Sequence, residues 1–282
     1  MEHLYNKKYD YIIYGGSITG VFYALFYKSK GADVLLVNKY GFLGGGITEN
    51  LCLLQDIYSM NIHKFNKLIL DTLGEKNCYK TNIYQHVYEY FVNHEQLKFV
   101  LQDLLVKHNV NLLYHVKAVE PVKDNKLVLM GKEGKIIIEG NKIIDCSDNF
   151  YLYFLDGNIN YTHGFYNFVV VGNDKDKLKK LVPNADVTQI GDNRYLINLI
   201  INFDDVLTVE NTAHDLMNII TPILIQNNYR IELLPVETFL MSKFNEDYQS
   251  PKFEPIYEYK SGSFISLIER SILVEKCYEF IK

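Results

Sequence analysis

The chain has 282 residues, 48% apolar and 22% charged, which is long enough for two packed lobes and too apolar for a disordered chain. Its formal net charge of −5 supplies no basic field to neutralise a phosphate backbone, which argues against nucleic acid as a partner. Cys52, Cys78, Cys146 and Cys277 lie far apart with no CxxC pair, so no metal site and no dithiol redox motif is expected, only reduced thiols.

The N-terminal MEHLYNKKYD has neither the apolar core nor the small-residue cleavage site of a signal peptide. No run approaches the roughly twenty apolar residues of a membrane helix, so a cytoplasmic protein without membrane contact is expected. Tyr9 to Tyr14 is short, mostly apolar and stops at Gly15, the pattern of a strand buried on both faces of a parallel sheet. Thr19 to Lys30 carries Val21, Phe22, Ala24, Leu25 and Phe26 at helical spacing and closes on Lys30-Gly31. Asp33 to Val37 is a second buried strand, completing a strand, turn, helix, strand unit with an expected right-handed crossover.

Within that unit, Gly15-Gly16-Ser17-Ile18-Thr19-Gly20 occupies the GxGxxG position, where free backbone N–H groups and the helix dipole attract a pyrophosphate. Gly15 makes the tight turn and Gly20 lets helix and strand pack closely. Ser17 stands where a glycine normally admits the phosphates; it is small, and its hydroxyl can donate to a phosphate oxygen. Asn38, at the tip of the second strand, takes the place of a ribose-binding Asp or Glu and offers an uncharged acceptor.

A glycine-rich stretch, GFLGGGITENLCLLQD, fills 41–56, and an amphipathic helix is expected around His63 to Leu73. A second helix, His94 to His108, presents Leu97, Val100, Leu101, Leu104 and Leu105 on one face. Strands are expected over Asn111 to Tyr114 and Val116 to Pro121, a hairpin over Lys126 to Met130 and Lys135 to Glu139, and a short buried strand over Lys142 to Asp145. Beyond about residue 160 longer strands follow, Tyr166 to Val171, Ala185 to Ile190 and Tyr195 to Phe203. A helix over Val209 to Gln226, a strand over Tyr229 to Leu234 and a last helix over Ser263 to Ile281 complete the chain.

Four segments in this order, NKYGFLGGGIT, HEQLKFVLQDLLVKHNVNLLYHVKAV, KIIDCSDN and SGSFISLIERSILVEKCYEFI, resemble the FAD-dependent oxidoreductase family of glutathione-reductase-like flavoproteins. The resemblance implies an α/β architecture: a doubly wound Rossmann-like FAD-binding domain over 1–156 and 255–282, with a smaller α+β antiparallel-sheet substrate or cap lobe over 157–254. It implies FAD held by Gly15, Gly16, Ser17, Ile18, Thr19, Gly20, Asn38 and Lys39. Gly44, Gly45 and Gly46, Ala118 beside the adenine, Ser147 and Asp148 of the second motif, and Gly262, Ser263 and Phe264 facing the flavin complete the implied set. The implied function is oxidation or reduction of a small organic substrate, alone or as a subunit of a larger homo- or hetero-oligomer.

Two further departures from the family pattern are larger than that of Ser17. Asp148 replaces a glycine, placing a carboxylate near the cofactor phosphates, which is unfavourable unless it turns away. Glu258 to Gly262 replaces a Gly-Asp pair before the closing helix. Catalytic candidates are Cys52, just past the Gly44 to Gly46 loop, against a buried structural thiol, and His163, as an acid or base, against an ordinary loop histidine flanked by Tyr161 and Tyr166. Two other readings remain open. Ser17, Asn38 and Asp148 together suit a degenerate flavoprotein acting as a scaffold or partner subunit. Gly44-Gly45-Gly46-Ile47 resembles thiamine thiazole synthases, although the acidic residue and a second glycine cluster are missing.

Overall fold

The computed structural model describes residues 7–58, 64–84 and 87–244. Strand β1 (Lys8–Tyr14) is the centre of a six-stranded sheet. It is paired in parallel with β2 (Val34–Val37) on one side and β9 (Gly134–Asp145) on the other, and its successive Ile12 and Ile13, which project to opposite faces, are both fully buried, so the sheet is covered on both faces here. Each such side chain taken from water contributes roughly 1.5–3 kcal/mol. Helix α1 (Ile18–Ser29) makes the crossover from β1 to β2, burying Ile18, Val21, Phe22 and Leu25. It stops at Lys30, where Gly31 adopts φ +80, a conformation a residue with a Cβ resists.

Parallel order continues through β6 (Asn111–Leu113) beside β2. On the other flank, β7 (Lys117–Ala118) and β8 (Lys126–Gly131) extend the sheet in antiparallel sense, giving the order β6-β2-β1-β9-β8-β7. Strand β9 is continuous where the sequence reads as two strands. Its first half pairs with β8 as far as Lys126↔Glu139, and pairing with β1 begins at Lys8↔Glu139. Pairing with β1 at Tyr9↔Gly140 and Tyr11↔Lys142, with the Gly140 N–H donating to the Asn125 carbonyl at 3.0 Å, carries the chain through Gly140 and Asn141, residues whose local preference is to break a strand.

Helix α2 (Gly46–Glu49) follows the glycine-rich loop, and α3 (Lys64–Leu73) and α4 (His94–Lys107) lie near the positions expected for the two amphipathic helices. Between them β3 (Leu54–Tyr58), β4 (Cys78–Tyr84) and β5 (Val87–Val92) form a three-stranded antiparallel sheet of order β3-β5-β4 that the sequence reading missed. A short helix, α5 (Tyr151–Leu155), follows β9.

The chain divides into two compact units, the first holding residues up to Thr48 and Leu53–Ile159, the second Glu49–Cys52 and Asn160–Phe244. The second unit is an antiparallel sheet of β10 (Ile159–Val171), β11 (Ala185–Gly191), β12 (Arg194–Ile201) and β13 (Arg230–Leu233), with β14 (Phe239–Phe244) also pairing with β10. Helices α6 (Lys175–Leu181) and α7 (Val209–Gln226) cover it, closing a core that includes Phe168, Ile197, Ile201 and Leu224. The fold is therefore a Rossmann-like parallel sheet accompanied by a separate antiparallel unit. Among the described residues no helix is long and apolar enough to cross a membrane.

Candidate functional site

The turn between β1 and α1 is built by close backbone approach. Gly15 has φ +105, and a Cβ there would strike the Ser147 backbone that follows β9. A Cβ on Gly20 would strike the Gly15 carbonyl, so the helix can leave the turn this tightly only with hydrogen at both positions. The buried hydroxyl of Ser17 caps α1, accepting from the Gly20 N–H at 3.2 Å, and it spends its proton on the Cys146 carbonyl at 2.8 Å. The link to Cys146 has no local sequence signal, since the two residues meet only through the β1–β9 pairing.

The GFLGGG loop folds back onto this turn. Gly44 N–H donates to the Gly16 carbonyl at 2.8 Å, and Leu43, fully buried, would lie 2.6 Å from a Cβ on Gly16. Gly44 and Gly45 both have positive φ, +119 and +52. A Cβ on Gly45 would meet Asp148 Oδ2 and, at 2.9 Å, the Ser17 Cβ. Asp148 Oδ2 in turn accepts from the Gly46 N–H. The loops 15–20, 43–46 and 145–149 thus converge within the first unit. Lys39 lies beside them in sequence, its ammonium 4.8 Å from the Tyr40 ring centre.

Asn38 is buried with both ends of its amide engaged. Its Oδ1 accepts from Gly16 N–H at 2.8 Å, and its Nδ2 donates to the Phe42 carbonyl at 2.6 Å and the Tyr40 carbonyl at 3.4 Å. The side chain therefore fastens the glycine turn to the loop after β2. Ala118, on β7, is also buried, and its N–H donates to the Tyr14 hydroxyl at 3.2 Å. The Tyr14 ring stacks on Tyr151 with centroids 6.3 Å apart, and Lys117 Nζ lies 4.5 Å above Tyr151. Neither Tyr14 nor Tyr151 was singled out from the sequence.

Behind the loops, fully buried Asp145 accepts from Ser147 N–H at 3.0 Å and Ser147 Oγ–H at 2.5 Å through Oδ1, and from Leu152 N–H at 2.8 Å through Oδ2. Burial pushes its pKa up to about 6, opposed by these hydrogen bonds. The carboxylate pins the 145–149 loop to the start of α5.

In the second unit Cys52 is half-buried and its sulfur accepts from Asn167 Nδ2 at 3.5 Å. Asn167 also donates to the Asn50 carbonyl at 2.9 Å and accepts from Asn198 Nδ2 at 2.8 Å. His163 lies on β10, 3.0 Å from Thr162 Oγ1 and edge-on to Phe165. Tyr166, on the same strand, has its pKa raised by burial and by the Glu210 carboxylate. Gly262, Ser263 and Phe264, together with Glu258 to Gly262 and the expected closing helix, fall outside the described residues. Among the described residues no three His, Cys, Asp or Glu side chains converge as metal ligands.

A family model described as FAD dependent oxidoreductase matches residues 10–177. Among solved structures, CabE, an aromatic hydroxylase from angucycline biosynthesis, aligns with 98% of this chain at a TM-score of 0.64 and 11% identity, and the chain spans 62% of that hydroxylase. The flavin-dependent brominase Bmp2 aligns with 98% of this chain and 80% of its own, at 0.58 and 13% identity. The p-nitrophenol 4-monooxygenase PnpA from Pseudomonas putida DLL-E4 aligns with 83% of this chain and 68% of its own, at 0.53 and 11% identity. Likeness at these identities is one of fold. No curated protein matches the chain.

Proposed function

The chain belongs to the FAD dependent oxidoreductase family, and we propose that it binds FAD across its three converging loops and uses it to oxidise or reduce a small organic substrate. The observation that carries this reading is the convergence itself: the glycine turn, the Gly44 to Gly46 loop and the 145–149 loop meet at the carboxyl ends of parallel strands, where α/β folds bind their ligands.

The residues present fit such a cofactor. Thr19 Oγ1 is buried at the start of α1 without a hydrogen-bond partner among the described residues. The Ile18 and Thr19 N–H groups open a helix and have no intrahelical acceptor, while Ser17 caps Gly20. Donors of this kind suit a diphosphate. The diphosphate would be held by 16–20 and 44–46, and the adenosine end would lie toward Ala118, Tyr14 and Tyr151. Asn38 and Ser147 would orient these loops, through Gly16 and Asp145 respectively.

Bound there, the flavin supplies the hydride or electron transfer, and the protein supplies positioning and the surrounding field. In the second unit Asn167 orients the Cys52 thiol, and His163 offers a ring nitrogen as acid or base. These two remain the catalytic candidates. The test is titration of the purified full chain with FAD, followed by difference absorbance. A saturable perturbation of the flavin bands supports the reading, and its absence removes it.

A further inference from the structure

We propose that Asp148 is an affinity-lowering residue of the FAD site, whose carboxylate opposes the cofactor diphosphate and makes the flavin an exchangeable ligand rather than a permanently held one. The inference rests on the FAD reading above and goes beyond it.

The three converging loops contain no lysine or arginine. Their formal charges are those of Asp145 and Asp148 alone, so a diphosphate must be held there by backbone N–H groups and dipoles. The two carboxylates differ in where they point. Asp145 is turned inward onto Ser147 and Leu152, beneath the 145–149 loop. Asp148 points across the loops instead: Oδ2 accepts from Gly46 N–H, and the space a Gly45 Cβ would need lies between that same oxygen and the Ser17 Cβ. An anion fixed by a donor of one glycine loop and adjoining the other competes with a diphosphate in two ways. It repels the phosphate charges at short range in a partly buried setting, where screening is weak. It also uses the Gly46 N–H, one of the few donors there.

Titrations of the full chain with FAD, ADP and riboflavin test this, using wild type, Asp148→Asn and Asp148→Ser, with circular dichroism confirming that each variant folds. FAD and ADP affinity is expected to rise about ten-fold or more in both variants, while riboflavin, which has no phosphate, is unaffected. Unchanged or weakened FAD and ADP binding in both variants overturns the proposal, as does an equal gain for riboflavin, which would mean packing rather than charge. Tighter ADP binding in variants that bind no FAD keeps the opposition of Asp148 to a diphosphate and overturns the flavin reading on which the rest of the inference stands.

Discussion

The Ser17 hydroxyl donates to the Cys146 carbonyl at 2.8 Å across a sequence separation of 129 residues. One small side chain thereby ties the first glycine turn to the end of β9, and the same oxygen caps α1 through Gly20. Ser17→Ala removes the cap and leaves a buried carbonyl without its donor. The expected cost is about 1–3 kcal/mol of unfolding free energy, measured by urea denaturation. A loss below a few tenths of a kcal/mol contradicts the assigned double role.

Asn38→Asp, although it installs the acidic residue familiar at this position, should destabilise the chain. The carboxylate keeps the Gly16 N–H but sets its second oxygen against the Phe42 and Tyr40 carbonyls, which now receive the amide protons. A loss of about 1–3 kcal/mol is expected. Equal or greater stability in the variant contradicts it.

Asp145 makes stability depend on pH in a defined sense. Its folded pKa, pushed up to about 6, exceeds the ordinary value of 3.8, so between these values the folded chain holds more protons than the unfolded one. The contribution of this group is fully present below about pH 4 and is lost as pH rises toward 6. Compared with Asp145→Asn, which does not titrate, wild type should lose on the order of 2–3 kcal/mol of relative stability across that window. Denaturation midpoints at pH 4, 5, 6 and 7 decide it; a constant difference, or one that grows with pH, contradicts the assignment.

Gly45→Ala places a methyl group into Asp148 Oδ2 and Ser17 Cβ at a residue with φ +52. The loop must shift, and FAD affinity should fall at least ten-fold with most of the fold retained, because the Rossmann-like sheet does not depend on this residue. Gly31→Ala, at φ +80 in open space, is the control: it strains backbone but leaves FAD affinity unchanged. Equal effects of the two substitutions on affinity contradict the loop assignment.

The β1, α1, β2 unit was legible because its signals are local: two apolar runs, a glycine turn and helical spacing. The continuous β9 and the β3-β5-β4 sheet were not, since neighbouring strands supply the bonds that local preference at Gly140 or Asn141 would forgo. At the candidate site, residue types pointed to loops that the structure brings together, but not to the partners of their side chains. Ser17 was read as a phosphate donor, and in the structure its proton goes to Cys146. Asn38 was read as a ribose acceptor, and in the structure its amide spans Gly16, Tyr40 and Phe42. Such roles are fixed by what the chain brings alongside, which spacing cannot express. Asp148 reads in the sequence as a carboxylate near the phosphates, unfavourable unless it turns away; its hydrogen bond from the Gly46 N–H has no local sequence signal.

FAD binding by the purified full chain is best tested by difference absorbance titration, with the bound ligand identified after denaturation. Saturable perturbation of the flavin bands and release of intact FAD are predicted. Spectra that stay those of free FAD at every protein concentration contradict the proposed flavin-dependent oxidoreductase function.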